Sequence, residues 1–374
     1  MLSRTLSLLT SKIISSLLDS LGILPRNRAL FACFPDFEDQ TFSMIMELTK
    51  QEIPIILMSD SLKLPGYWEE ENLKVKLVKR KSVKSFYYAK TSKYIFHTHG
   101  FIFSESITSE QIVISLWHGM PLKKIGVEIG NQMPKSTFSL TSSSSKSYLM
   151  KRAYSTSMKM PIFLNFGLPR LDLLGNASRE RTVSRNKIIW MPTYRNSVVG
   201  EIRDDGLVND LGLGMTISEL TQLDEFLFKN QISFELLLHP MSGAKLPVEL
   251  TAIKLSSFDR KSQSLYRYIN NFDALVTDYS SVSIDFLVTG KPLYIFAPDF
   301  MIYEKSRGFF GDFEKLLGLQ VSKDIEGLIK ELKKEFYDFP RLAKIANEWH
   351  DYKQDDRAEK IWQHVSNEML TQPS

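Results

Sequence analysis

The chain has 374 residues, 43% hydrophobic and 24% charged, with a formal net charge of +4. This composition excludes a disordered chain, and it lacks the dense basic stripe with interleaved aromatics that marks a nucleic-acid binder. The one cysteine, Cys33, rules out an intrachain disulfide, and no apolar run reaches the roughly 20 residues needed to span a bilayer.

Length alone favours two or three domains. Mild basicity suits phosphate-rich substrates and anionic lipid surfaces. At the start, Leu2, Leu6, Leu9, Ile13, Leu17 and Leu21 recur every three or four residues, with Ser3, Arg4, Ser7, Ser11 and Lys12 between them. That spacing predicts an amphipathic helix over 1–24. A helix packed on the domain and an interfacial membrane anchor both fit it. Polar residues interrupt the apolar stretch and no small-residue cleavage site follows, so it is not read as a secretory signal.

Beyond it, short β-rich runs alternate with helical patterns, the signature of a parallel α/β protein. Strands are predicted at Ala29–Phe34, Pro54–Met58, Leu73–Val78, Tyr94–His97, Ile112–Trp117, Phe138–Thr141 and Ile162–Phe166, with helices around Phe42–Gln51 and Ser144–Tyr154. The polar, basic stretch Asn176–Asn186 reads as a linker. The pattern then restarts with strands at Ile188–Met191, Phe234–Leu238, Ile253–Leu255, Ala274–Val276 and Leu293–Phe296. Helices are predicted at Thr216–Lys229, Ser264–Asn270, Val282–Val288 and Asp324–Phe336, and a last one over Asp356–Leu370. The expected units are 25–175, 186–345 and a C-terminal segment 346–374 that packs back on the first. Two doubly wound halves enclose a cleft, and ligands in such sheets sit beyond the carboxyl ends of the strands.

Chemistry-bearing residues are therefore sought at strand ends. Trp117-His118-Gly119-Met120-Pro121-Leu122-Lys123-Lys124 ends one strand, which places His118 at the cleft as a candidate general base. Gly119 allows close approach of a substrate, and Pro121 pre-sets a helix start. His239 ends a strand of the second half, where a structural and a functional histidine fit equally well. His97 and His99 also end a strand, but no Asp, Glu or Cys cluster accompanies them, so no metal site is expected. His350 and His364 fall in sequence read as peripheral. In Thr277-Asp278-Tyr279-Ser280-Ser281, the two serines open a helix, where an anion can be held or the helix simply capped. Asp285 lies one turn further on, placed to accept hydrogen bonds from a polyol or ribose. Arg170, Arg195 and Arg307 recur after strands, and a guanidinium matches phosphate oxygens in bidentate fashion. No Gly-x-Gly-x-x-Gly, Walker loop or Asp-x-Asp is present, so nicotinamide, P-loop and metal-bound sugar-nucleotide readings lack support.

Taken together, Trp117-His118-Gly119-Met120-Pro121-Leu122-Lys123-Lys124, Gly167-Leu168-Pro169-Arg170-Leu171-Asp172, Met191-Pro192-Thr193-Tyr194-Arg195, His239-Pro240, Thr277-Asp278-Tyr279-Ser280-Ser281 with Asp285, and Tyr303 with Arg307-Gly308-Phe309 resemble the CDP-glycerol glycerophosphotransferase family. These are the teichoic-acid primases and polymerases and their capsule relatives. The resemblance runs from about Tyr94 to about Gly318. It implies a GT-B-like fold of two Rossmann-like domains, with CDP-glycerol or a close CDP-polyol as donor and a lipid-linked saccharide or polymer as acceptor. It also implies a cytoplasmic protein peripheral on the inner membrane face; no further cofactor and no metal are expected. Carried over, His118 is the base and Gly119, Met120, Pro121 and Leu122 line the donor site. His239, Arg195, Ser280, Ser281 and Arg307 hold the diphosphate, with Thr193 beside them, while Asp285 and Arg170 contact the donor. Ser257, Phe258 and Asp259 are the expected cytosine site. In size the chain is nearer the primases than the polymerases. Two alternatives remain: a sugar transferase of the same fold using another nucleotide sugar, distinguished by donor preference, and a catalytically idle assembly partner at the membrane, distinguished by nucleotide binding without turnover.

Overall fold

The computed structural model describes residues 20, 24–101, 107–154, 159–175, 186–193, 213–238, 246 and 249–367. The first half carries strands β1 (Arg26–Ala32), β2 (Ile55–Ser59), β3 (Val75–Lys79), β4 (Ser92–His97), β5 (Ile112–Ser115), β6 (Phe138–Leu140) and β7 (Ile162–Leu164). They form one seven-stranded sheet in the order β3-β2-β1-β4-β5-β6-β7, every described pairing parallel. The second half carries β8 (Lys187–Met191), β9 (Ser233–Leu236), β10 (Ile253–Leu255), β11 (Ala274–Thr277), β12 (Leu293–Phe296) and β13 (Val321–Ser322). Its order, β10-β9-β8-β11-β12-β13, is again all parallel. Both sheets reverse direction beside their first strand, at β1/β4 and β8/β11, and this creates the crevice where ligands bind.

Strands covered by helices on both faces need apolar side chains in both directions, which is why these segments read as continuous apolar runs. β5, β11 and β12 are buried along their whole length, whereas the edge strand β3 keeps lysines outward. Every strand expected from the sequence is present. The unexpected elements are β13 and the helices Gly66–Glu70, Val83–Thr91, Phe300–Ser306, Phe313–Leu317 and Phe339–Trp349. Several of these are single turns too short to show a period.

Local chemistry sets the helix starts. Glu38 accepts hydrogen bonds from the backbone N–H groups of Gln40 (2.9 Å) and Thr41 (2.6 Å) and so opens the helix Asp39–Lys50. Thr216 and Glu219 form a reciprocal capping box at Ile217–Lys229.

The chain's last segment crosses back to the first half. Trp362, on the helix Arg357–Asn367, meets the Tyr94 ring at 4.8 Å, and Arg357 pairs with Asp172 at 3.1 Å. His350, read from sequence as peripheral, is instead buried, and its Nε2 lies 2.8 Å from the Ile284 carbonyl. One apolar cluster runs through both halves, from Phe42 and Leu171 to Tyr266, Ile284 and Trp349. The amphipathic helix expected over 1–24 lies outside the described residues apart from Ser20 and Leu24, as does the expected linker apart from Asn186. Among the described residues no helix is long and apolar enough to cross a membrane.

Candidate active site

A cavity of about 680 Å³ opens between the two sheets at the carboxyl ends of their strands. The loop after β5 contributes Trp117 to Leu122. Met191, Pro192 and Thr193 come from the end of β8, Leu237 and Leu238 follow β9, Phe258 to Lys261 follow β10, Tyr279 to Ser281 follow β11, and Arg307 follows the helix Phe300–Ser306.

His118 sits where β5 has just ended, on a backbone bent by two unusual residues. Trp117 has φ +57° and Gly119 has φ +133°. Such conformations persist only where the surroundings impose them, and they cluster at functional sites. The His118 Nδ1 lies 3.3 Å from the Thr98 carbonyl. A carbonyl only accepts, so this contact places the ring proton on Nδ1 and leaves Nε2 as the basic nitrogen. The His118 ring is exposed and stacks on His99, centroids 4.0 Å apart and planes within 6°.

Gly119 explains itself by contact. A Cβ built there would lie 2.1 Å from the Ser281 Oγ, so only glycine lets the β5 loop reach the Ser280-Ser281 turn. The same loop then pairs with the second half: Lys124 N–H donates to the Gly308 carbonyl (3.2 Å) and Phe310 N–H to the Leu122 carbonyl (3.1 Å). This two-stranded contact sets Arg307 at the cavity wall. Neither serine is spent on strong capping. Ser281 makes no side-chain cap, and the Ser280 Oγ is 3.4 Å from the Val282 N–H.

Arg170 and Asp285, expected to contact the donor, are not among the residues lining the cavity. They form a buried 2.6 Å ion pair with each other, because each is the nearest partner able to neutralise the other away from water. Tyr266 donates its hydroxyl to the same Asp285 oxygen and lies under the Arg170 guanidinium. Arg170 Nη2 also donates to the His118 carbonyl (3.2 Å), so the pair supports the His118 loop from behind. Burial pulls the Arg170 pKa down, but Asp285, Tyr266 and Glu38 outweigh it and raise it above its ordinary value.

Ser257 is exposed and does not line the cavity, because the loop turns its neighbours Phe258 and Asp259 inward instead. Thr193 lines it while donating both its N–H (2.9 Å) and its hydroxyl (2.5 Å) to the buried Asp278. His239 and Arg195 lie outside the described residues. The cavity thus brings together His118, Gly119 to Leu122, Thr193, Phe258, Asp259, Ser280, Ser281 and Arg307.

Sequence reasoning passed over Lys123, Arg260 and Lys261. With Arg307 they give four lining cations against one carboxylate, Asp259, among the described residues. The adjacent basic pair in a loop after a strand was a usable signal. Gln40 gave none: it is fully buried and donates to the Leu116 carbonyl (2.6 Å) while accepting from Arg170 N–H (3.2 Å). His97 and His99 do not act together. His97 is buried, its pKa pushed down to about 3 by burial, and it accepts from Gly100 N–H (3.0 Å). Among the described residues no group of three His, Cys, Asp or Glu is placed to hold a metal ion.

Two Rossmann-like sheets closing on a cation-lined cleft, with a histidine at a strand end, define a GT-B-type fold with a candidate active site between its halves. The chain matches the family described as CDP-glycerol:poly(glycerophosphate) glycerophosphotransferase over residues 20–367, and it belongs to that family. It is 26% identical over 355 residues to a teichoic acid poly(glycerol phosphate) polymerase of Bacillus spizizenii, covering 84% of this chain and 85% of that one. It is 25% identical over 284 residues to the teichoic acid ribitol-phosphate primase of the same species, covering 69% and 70%. A variant of the wall teichoic acid polymerase TagF superposes with TM-score 0.75 at 17% identity, over 99% of this chain and 97% of that one. A putative UDP-N-acetylglucosamine 2-epimerase of Listeria monocytogenes shares the fold at TM-score 0.55 and 12% identity, over 93% and 98%.

Proposed function

We propose that this enzyme transfers a glycerol-phosphate unit, or a close polyol phosphate, from a CDP-activated donor to a hydroxyl of a lipid-linked or polymeric acceptor in cell-envelope polymer synthesis, releasing CMP. The observation that carries this reading is His118, its Nε2 left basic by the Thr98 carbonyl, standing at the wall of a cleft lined by four cations.

In this reading the acceptor hydroxyl gives its proton to His118 Nε2 as its oxygen attacks the β-phosphorus of the donor. A new phosphorus–oxygen bond forms, the bond from the β-phosphorus to the bridging oxygen breaks, and CMP leaves with the electron pair. Little covalent work falls to the protein, so rate comes from positioning and from charge placed in advance. Arg307, Lys123 and the hydroxyls of Ser280 and Ser281 face the diphosphate, with Thr193 beside them held on Asp278, and Arg195 and His239 keep the diphosphate role assigned to them from sequence. Gly119 to Leu122 form the floor. Phe258 presents an aromatic face and Asp259 an acceptor for the cytosine amino group. Arg170 and Asp285 act from behind the site. The reaction as written uses no cofactor. Acceptors that end in a lipid place the enzyme on the inner face of the cell membrane, as a peripheral protein with its active site in the cytoplasm.

The test is calorimetric binding of CDP-glycerol, CDP-ribitol, UDP-glucose and CMP with EDTA present. Binding of one CDP-polyol well above the others is expected and names the polyol. Preference for UDP-glucose would overturn the donor class in favour of a sugar transferase.

A further inference from the structure

Outside the cavity, at the switch point of the first sheet, a row of aromatic rings continues from His118 into solvent. Phe34 follows β1 and His99 follows β4, the two strands between which the sheet reverses. The His118 ring stacks on His99, and the His99 ring meets Phe34 edge-to-face, centroids 5.9 Å apart at 88°. His118 also lies against Trp117, ring centroids 4.1 Å apart. His99 is exposed, and Phe34 is 64% exposed.

A lone exposed phenylalanine needs no explanation. This one is held in place by a buried residue. Thr98 is fully buried; its hydroxyl accepts from Phe34 N–H (2.9 Å) and donates to the Phe34 carbonyl (3.1 Å). The same hydroxyl meets the His99 Nδ1 at 3.0 Å, and the Thr98 carbonyl holds His118. One threonine therefore fixes the Phe34 backbone and contacts both imidazole rings. Behind them, Asp36 accepts from the Ser59 hydroxyl (2.7 Å) and Asp60 N–H (2.7 Å) and pairs with Arg80, which fixes the loop that carries Phe34.

We infer that Phe34 and His99 form a stacking platform for the acceptor, receiving the apolar face of a sugar ring or polyol chain and leading its terminal hydroxyl to His118. Aromatic faces complement the C–H face of a saccharide, and an imidazole nitrogen adds a hydrogen-bond partner for a hydroxyl. Phe34 and His99 are not among the residues lining the cavity, whereas the cations that suit the diphosphate are, so the acceptor reaches His118 from outside the donor cavity. This inference rests on His118 being the base.

The test compares Phe34→Ala, Phe34→Trp and His99→Leu with the wild-type enzyme. Initial rates are read with CDP-glycerol and two soluble acceptors, a glycerol phosphate oligomer and an octyl-linked disaccharide. Calorimetric binding of each acceptor and of CDP-glycerol is measured separately. Losing one stacking ring should raise acceptor KM and acceptor Kd by about three- to tenfold, more than it lowers kcat, with CDP-glycerol Kd unchanged and Phe34→Trp close to wild type. Unchanged acceptor Kd and KM in Phe34→Ala would overturn the platform, and so would a parallel loss of CDP-glycerol binding. Weaker partition onto anionic vesicles with unchanged acceptor Kd would show a membrane contact instead, and equally overturn it. Wild-type enzyme that binds acceptor but transfers nothing would fail the functional reading alone, and acceptor Kd then still decides the platform.

Discussion

Arg170 and Asp285 form a 2.6 Å ion pair across the join between the two halves, and the same guanidinium holds the carbonyl of His118 at 3.2 Å. The residues are 115 positions apart in sequence, and the pair supports the His118 loop without lining the cavity. Breaking such a pair strands a charge away from water, which typically costs roughly 3–5 kcal/mol, whereas replacing both partners by apolar residues is often neutral. Arg170→Met and Asp285→Leu should each lower the urea midpoint sharply. The double variant should recover much of the stability but not the turnover, because the hydrogen bond to the His118 carbonyl stays lost. Full recovery of turnover in the double variant would show that the pair does not position the loop.

In the proposed mechanism His118 takes the acceptor proton. His118→Ala should lower kcat by about two to four orders of magnitude, the scale of losing a general base, with the thermal midpoint close to wild type because the side chain is exposed. Near-normal turnover in a folded variant would remove His118 from the mechanism.

Gly119 meets two separate constraints. Its φ of +133° disfavours any side chain, and a Cβ would lie 2.1 Å from the Ser281 Oγ. Gly119→Ala should therefore reduce turnover severely and weaken CDP-glycerol binding. Adding Ser281→Gly removes the clash but not the backbone strain, so rescue should be partial. Complete rescue would mean that the contact alone matters.

The pH dependence of stability follows from the buried histidines. Burial pushes the His350 pKa down to about 4, from an ordinary value of 6.5. The unfolded chain then binds a proton that the folded chain refuses, so this residue's contribution is fully present above about 6.5 and declines as pH falls toward about 4, by about 2 kcal/mol at pH 5. His97 acts in the same sense. Glu38, raised to about 7 chiefly by burial, acts in the opposite sense between about 4.5 and 7. The clean readout is the difference between wild type and His350→Gln. That difference should shrink as pH is lowered from 7 to 5 in chemical denaturation; a constant difference would show that His350 does not titrate with unfolding.

Much of the architecture was legible in the chain itself. Parallel strands buried on both faces must be apolar throughout, so β5, β11 and β12 stood out, and in a doubly wound sheet their carboxyl ends face the cleft. That reasoning placed His118, Ser280, Ser281 and Arg307 at the cleft, and the order of the motifs pointed to the family and, through it, to Thr193. Composition and periodicity act along the chain, and these features are local to it. Other features depend on distance through space, which spacing along a sequence does not record. Only the tertiary structure turned Arg170 and Asp285 toward each other, because buried opposite charges pair where they can. Only it brought Gly119 against Ser281, closed Leu122–Lys124 onto Gly308–Phe310, buried His350 beside Ile284, and stacked His99 on His118. The last of these pairs joins the ends of the neighbouring parallel strands β4 and β5, a proximity that spacing along the chain does not record.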